Sequence, residues 1–168
     1  VQVHRSVGRG APQRESLRFL QRYLGNPPTV ELQRIAAEIA AMGRRKDAEY
    51  ARRYRAIREA MQKDNLDAIL IFGARGSSDV HFLSNYLAQS PCWLLLPRDG
   101  APAVFIHFFN HQPCVKAQSI IVDVRWYGPA PIPTLADEIR KRSLAKSRIG
   151  MVSMRGMAYG HVTELQRQ

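Results

Sequence analysis

Asp67-Ala-Ile-Leu-Ile-Phe72, the turn Gly73-Ala-Arg-Gly-Ser-Ser78 and the segment Asp79-Val-His-Phe-Leu-Ser-Asn-Tyr86 follow one another without a gap. Ala68 to Phe72 is short, rich in branched side chains and apolar at every position. That pattern predicts a strand buried on both faces, because a half-exposed strand would alternate. It is therefore expected to be a central strand. Upstream, Tyr54, Ile57 and Met61 recur three and four residues apart among Arg and Gln between Tyr50 and Asn65. This is the period of an amphipathic helix with one buried stripe. Helix, strand, turn, helix opens a layered α/β domain.

Downstream, Cys92 to Leu96 and Ala103 to Phe109 are apolar runs flanking Pro97-Arg-Asp-Gly100, which predicts a hairpin. Asn110 to Ser119 reads as a short helix and Ile120 to Trp126 as a strand. Gly128-Pro-Ala-Pro-Ile-Pro133 reads as an extended connector, with Thr134 capping a helix that runs to about Ala145. Arg148 to Ser153 is expected to be the last strand, and Ala158 to Gln168 to begin a helix without a natural ending, so that the chain reads as cut there. The whole predicts a mixed sheet with helices on both faces.

Residues 1 to 46 have a different character. Gly8, Gly10 and Pro12 among basic residues predict a mobile tail. Leu17, Leu20 and Leu24 share a helical face that Gly25-Asn26-Pro27-Pro28 closes. A second short helix is expected from Val30 to Met42, capped by Thr29, striped by Leu32, Ile35, Ala36 and Ile39 and stopped by Gly43, with Arg44-Arg-Lys46 as a solvated break. Such helices need a surface to pack on, either the α/β domain or a partner subunit; the alternative is a docking segment.

The chain has 168 residues, enough for one domain with a proper core. No apolar run approaches the roughly 18 residues needed to cross a bilayer, and Val1-Gln-Val-His-Arg5 continues basic and polar, unlike a signal peptide. Cys92 and Cys114 form no metal-type pair, which suits a reduced, cytoplasmic setting. The net charge of +11 divides into +7 over residues 1 to 64 (fourteen Arg and Lys against seven acids) and +4 over the remainder (eleven against seven). A basic face of this kind binds nucleic acid or an acidic partner, or is merely the solvated side of Arg-rich helices. With no aromatic-interleaved basic motif, nucleic-acid binding is the lesser expectation.

Three motifs invite a chemical role. His107-Phe-Phe-Asn-His111 has the spacing of a zinc pair, but Phe108 stands where a metallopeptidase helix carries Glu, and the segment reads as strand into loop. The turn Gly73 to Ser78 resembles an anion-binding turn yet lacks a phosphate-loop Lys; Ser77, Ser78 or Asp79 as a helix N-cap explains it as well. After Asn65 the acids are Asp67, Asp79, Asp99, Asp123, Asp137, Glu138 and Glu164, and of these only Asp123 falls inside a strand pattern. A two-metal site needs several converging carboxylates, so no catalytic or metal residue is assigned to this chain. A ribonuclease H-like nuclease, which carries a carboxylate in mid first strand, is excluded on the same ground, since Asp67 is only at the edge.

Tyr54-Arg55-x-Ile57-Arg58-x-x-Met61, Leu66-Asp67-Ala68-Ile69-Leu70-Ile71 and Asp79-Val80-His81-Phe82-Leu83-Ser84-Asn85-Tyr86, in that order and spacing, resemble the N-terminal domain of the creatinase, prolidase and aminopeptidase P family. Ser84 and Asn85 stand where Thr and Gly are usual in it. The resemblance covers residues 47 to 168 and leaves 1 to 46 as a basic N-terminal extension. It implies a three-layer α/β fold with a mixed sheet of ribonuclease H-like topology. It also implies a parent, most often a metallopeptidase cutting the amide bond before a proline, whose pita-bread catalytic domain with two divalent metal ions is absent here; creatinase shows that the fold also serves without metals. The domain's own role would be dimer contact and substrate gating, with Asn85, Tyr86 and the Leu87 to Pro91 loop at the mouth of a neighbouring active site and His81 beside them. The partners so implied are its own C-terminal catalytic domain, a second copy, and a proline-containing peptide. The alternatives are a stand-alone module for nucleic acid or an acidic partner, and a domain of a creatinase-like non-peptidase.

Overall fold

The computed structural model describes residues 29–157 and 159–167. The expected tail and first helix, residues 1 to 24, lie outside them. The chain divides into two compact units, 1–52 and 53–168. Among the described residues, the first unit is helix. Helix α1 spans Thr29–Lys63 without interruption, its last eleven residues belonging to the second unit. The expected stop at Gly43 and break at 44 to 46 are thus corrected. An interior Gly costs only about 1 kcal/mol relative to Ala, and the Ala, Met, Arg, Lys and Glu residues around it are strong helix formers. Ion pairs Arg34–Glu38 (2.6 Å) and Glu49–Arg52 (2.8 Å) add local support. The side chains of Leu32, Ile35, Ala36 and Ile39 are outside the described set.

The second unit is a five-stranded sheet in the order β4-β3-β2-β1-β5. Its elements after α1 are β1 (Ala68–Gly73), α2 (Ser78–Ser84), β2 (Cys92–Pro97), β3 (Ala103–Ile106), α3 (Gln112–Gln118), β4 (Asp123–Trp126), α4 (Pro131–Lys141), β5 (Ile149–Val152) and α5 (Tyr159–Arg167). β1, β2 and β3 form an antiparallel meander, and β4 and β5 pair in parallel with β3 and β1 at its two edges. The expectation of a mixed sheet holds. β1 is an interior strand, buried at all six positions, with β5 on one side and β2 on the other.

Alternate residues of the apolar strands feed two cores. Ile69 and Ile71, Leu94 and Leu96, Val104 and Ile106 face a core closed by Met61, Val80, Leu83 and Val115, from α1, α2 and α3. Leu70 and Phe72, Trp93 and Leu95, Ala103 and Phe105 face a second core under Ile132 and Leu135 of α4, with Leu165 of α5 at its border. Continuous apolar runs are therefore required in β1 and β2, and the sequence supplies them. The stripe Tyr54, Ile57 and Met61 packs on the first core, and the Tyr54 hydroxyl donates to the Leu83 carbonyl at 2.6 Å.

Several boundaries differ from expectation, among them the start of β4, which is at Asp123 and not Ile120. The stretch 128 to 133 is not an extended connector throughout, because α4 already begins at Pro131. Pro131 and Pro133 sit in its first turn, where a missing N–H costs nothing. Thr134 is consequently inside the helix and does not cap it; Ala130 holds the cap position without a side-chain bond, and Thr134 Oγ1 donates back to the carbonyl of Tyr127 at 2.8 Å. α4 ends at Lys141, short of Ala145. Finally, β3 stops at Ile106, short of the expected Phe109, and a 3₁₀ turn over Phe109–His111 leads into α3.

A half-buried polar cluster pins β4 to α4. Glu138, only 5% exposed, receives Arg142 Nε at 2.6 Å and a second guanidinium from Arg125. Asp123 accepts both forks of Arg125 at 2.6 and 2.7 Å and Arg142 Nη2 at 3.0 Å. Arg142 also donates to the carbonyl of Ala101 in the β2–β3 turn.

Candidate functional site

The pairing register brings five connections to one end of the sheet. Gly73 lies opposite Cys92, Cys92 opposite Ile106, Ile106 opposite Trp126 and Ile71 opposite Val152. The carboxyl ends of β1, β3, β4 and β5 and the start of β2 therefore coincide. Loops at the carboxyl ends of strands in open α/β sheets are where ligands usually meet the fold.

Backbone geometry there is tightly specified. A Cβ on Gly73 would stand 2.6 Å from Val80 Cγ2 and 2.7 Å from Cys92 Sγ, so only glycine lets β1 leave the sheet this close to α2 and β2. Ser77 caps α2, accepting Val80 N at 3.4 Å, as its place in the turn suggested. At the far end of α2, the fully buried Ser84 hydroxyl donates to Val80 O at 2.6 Å and accepts Tyr86 N at 3.0 Å. Asn85 takes the left-handed conformation (φ 61°) that ends the helix, and its Nδ2 donates to Gln118 O at 2.9 Å.

Of the three gating candidates, the structure leaves His81 exposed on α2 and Asn85 half-buried in the bond just described. Tyr86 is 2% exposed, packed in the first core. Its hydroxyl accepts Gln89 N at 3.4 Å, and burial raises its pKa. Tyr86 thus shapes the loop from beneath, while Leu87, Gln89 and Pro91 are its exposed residues.

The metal-like pair is separated in role. His107 Nδ1 and the Tyr127 hydroxyl share a 2.7 Å hydrogen bond, whereas His111 packs edge-on against Phe108 with ring centroids 5.1 Å apart. Asp123 is at the opposite end of β4, held by its two arginines, so His107, His111 and Asp123 do not converge. Among the described residues, no group of three or more His, Cys, Asp or Glu could hold a metal ion.

An exposed aromatic cluster stands here instead. Phe109 (65% exposed) meets Trp126 (45%) edge-to-face at 5.7 Å, Trp126 Nε1 donates to His107 O at 3.0 Å, and Phe108 lies 4.4 Å from the His107 ring. Residues 107–111 drew attention only for their histidines. Phe109 and Trp126 are seventeen residues apart in sequence and meet only because β3 and β4 pair in parallel. Two adjacent Phe residues past the end of an apolar run were the available signal. Asp79, bonded by the Ser153 hydroxyl, is the only carboxylate in residues 74–91, 107–119, 126–134 and 153–157. The end is thus aromatic and weakly basic.

Beneath this end, burial pushes the Cys92 thiol up to about 12 and the Tyr127 hydroxyl up to about 12, from ordinary values of 9.0 and 10.0. The folded state holds both protons more tightly than the unfolded chain. Stability is therefore expected to be intact below pH 9 and to fall progressively between pH 9 and 12, as denaturant unfolding across that range would show.

The family model for the Creatinase/Prolidase N-terminal domain matches residues 53–168. No curated protein sequence matches the chain. Among solved structures, the Xaa-Pro dipeptidase from Bacillus anthracis superposes with a TM-score of 0.57 at 11% identity, over 70% of this chain and 31% of that one. An Xaa-Pro aminopeptidase from Streptococcus pyogenes gives 0.57 at 12% identity, over 72% and 85%. The N-terminal domain of the cytoplasmic peptidase PepQ from Mycobacterium tuberculosis H37Rv gives 0.55 at 17% identity, over 68% and 82%. At these identities the likeness is one of fold. The chain spans about a third of the length of the dipeptidase.

Proposed function

The chain belongs to the Creatinase/Prolidase N-terminal domain family, and from this premise we propose that it is the non-catalytic domain of an Xaa-Pro aminopeptidase- or prolidase-like metallohydrolase. In this reading it makes a dimer contact and gates substrate through the aromatic end of its sheet. The observation that carries the proposal is the Phe108, Phe109 and Trp126 cluster, exposed where five connections meet. Isolated monomers seldom leave Trp and paired Phe in water at one spot, and such residues are favoured as contact anchors. The metals of the reaction would belong to the catalytic domain. The two free cysteines, one of them buried, fit a cytoplasmic setting.

Sedimentation equilibrium of the 168-residue chain tests the contact. A dimer is expected, weakened about 30-fold or more by Phe109→Ala with Trp126→Ala, equivalent to about 2 kcal/mol. In the two-domain parent, the same pair is expected to raise KM for Xaa-Pro peptides several-fold with little change in kcat. An unaltered dimer and an unaltered KM would together sink the proposal.

A further inference from the structure

Phe108, Phe109 and Trp126 are exposed, yet the contacts that hold them converge on one residue. The His107 carbonyl accepts Trp126 Nε1 at 3.0 Å, and the His107 ring meets Phe108 edge-on at 4.4 Å. Phe109 in turn leans on Trp126 at 5.7 Å. His107 is itself exposed, one residue past the end of β3. An imidazole in water at the end of a strand has several rotamers open to it, so what fixes this one must come from below.

Tyr127, twenty residues further on, supplies the fixed point. Its side chain is 4% exposed and belongs to the second core. Its backbone is tied on both sides: the N–H donates to Ile106 O at 3.2 Å, and the carbonyl accepts Thr134 Oγ1 at 2.8 Å. From this post the hydroxyl reaches His107 Nδ1 at 2.7 Å. Burial pushes that hydroxyl up to about 12, so it keeps its proton at neutral pH. A buried hydroxyl that only accepted would leave the proton without a partner. The arrangement that satisfies it has Tyr127 donating to Nδ1 and His107 carrying its own hydrogen on Nε2.

We propose that the Tyr127 hydroxyl is the positioning group of the aromatic contact surface: by fixing the His107 imidazole it holds Trp126 and Phe108 ready for a partner. Side chains ordered before association do not have to be ordered by it, so affinity is gained without a new contact. That the partner is a second copy of the chain rests on the dimer reading above; the order of the cluster is a property of a single molecule.

The test is a double-mutant cycle between Tyr127→Phe and His107→Ala in the 168-residue chain. Tyr127→Phe keeps the buried ring and removes only the hydroxyl. It is expected to speed water exchange of the Trp126 indole N–H at least about fivefold, read by nuclear magnetic resonance against the buried Trp93, and to weaken the dimer about tenfold. In the His107→Ala background the same substitution should change neither. His107→Asn, whose Oδ1 falls where Nδ1 stood, should keep the parent exchange rate and its response to Tyr127→Phe. Indole exchange indifferent to Tyr127→Phe would overturn the proposal. So would an equal response with and without the His107 imidazole, which would make Tyr127 a core residue alone. A chain that stays monomeric while the indole responses follow this pattern removes the dimer reading and leaves the positioning role standing, so the two failures are separable.

Discussion

Glu138→Ala is expected to lower the unfolding free energy by about 3 kcal/mol. The carboxylate is 5% exposed and serves two guanidiniums, so its removal leaves Arg142, whose side chain is 20% exposed, and Arg125 facing each other with only Asp123 between them. Stripping one member from a buried ion pair costs about 3–5 kcal/mol, because the survivor keeps its desolvation penalty and loses its partner. The lower end applies here: Arg125 is 40% exposed, and Asp123 continues to bind both arginines. Urea unfolding followed by far-ultraviolet circular dichroism measures the loss. Glu138→Gln, which keeps the shape and acceptor oxygen, should lose less. A change below about 1 kcal/mol for the Ala variant would show that the cluster is a surface network, of the kind that contributes little.

Trp93→Ala carries the second large effect, about 3–5 kcal/mol, the usual cost of emptying a large aromatic site in a packed core. Trp93 is 1% exposed in β2, directly opposite Phe72 of β1 and Phe105 of β3, and meets the Phe72 ring edge-on at 5.0 Å. It also lies under α5, with the His161 ring centroid 6.3 Å away. The variant should therefore loosen α5 more than α2 or α3, which cover the other face. Native-state hydrogen exchange resolved by segment would read this as an accelerated exchange in residues 149–167 ahead of residues 53–118. Uniform acceleration would mean that the two faces open together and that α5 has no separate dependence on Trp93.

Much of the fold was legible because the strands obey a simple physical rule. Ala68 to Phe72 and Cys92 to Leu96 have no polar position, and a strand with apolar residues on both sides must be covered on both sides; helices on both faces followed. What escaped notice depended on competition between weak local signals and their surroundings. Gly43 looked like a stop, but its penalty is small beside the helix-forming residues on either side. Pro131 and Pro133 looked like a connector, yet proline is as acceptable in a first helical turn as in an extended one. Of the candidate site, a cap at Ser77, Ser78 or Asp79 could be read from sequence, and Ser77 is the one that serves. Tyr86 as a core residue was the competing reading of aromatic spacing, and its burial follows that reading. The Phe109–Trp126 pair could not be read, because it depends on which strands are neighbours and in what direction they run.

Strand order also sets the order of events when the chain folds. β2 and β3 are joined by a short turn and pair at once, and β1 adds across one short helix. β5 reaches its partner only after more than half of the domain has intervened, since Ala68 pairs with Ile149. Loop closure over such a separation costs entropy before it returns any contact, and elements joined this way assemble late and come apart early. The meander with α2 and α3 is thus expected to form first, and β5 with α5 to be the last piece fitted and the first released. The exchange pattern expected for Trp93→Ala would be the visible part of that hierarchy.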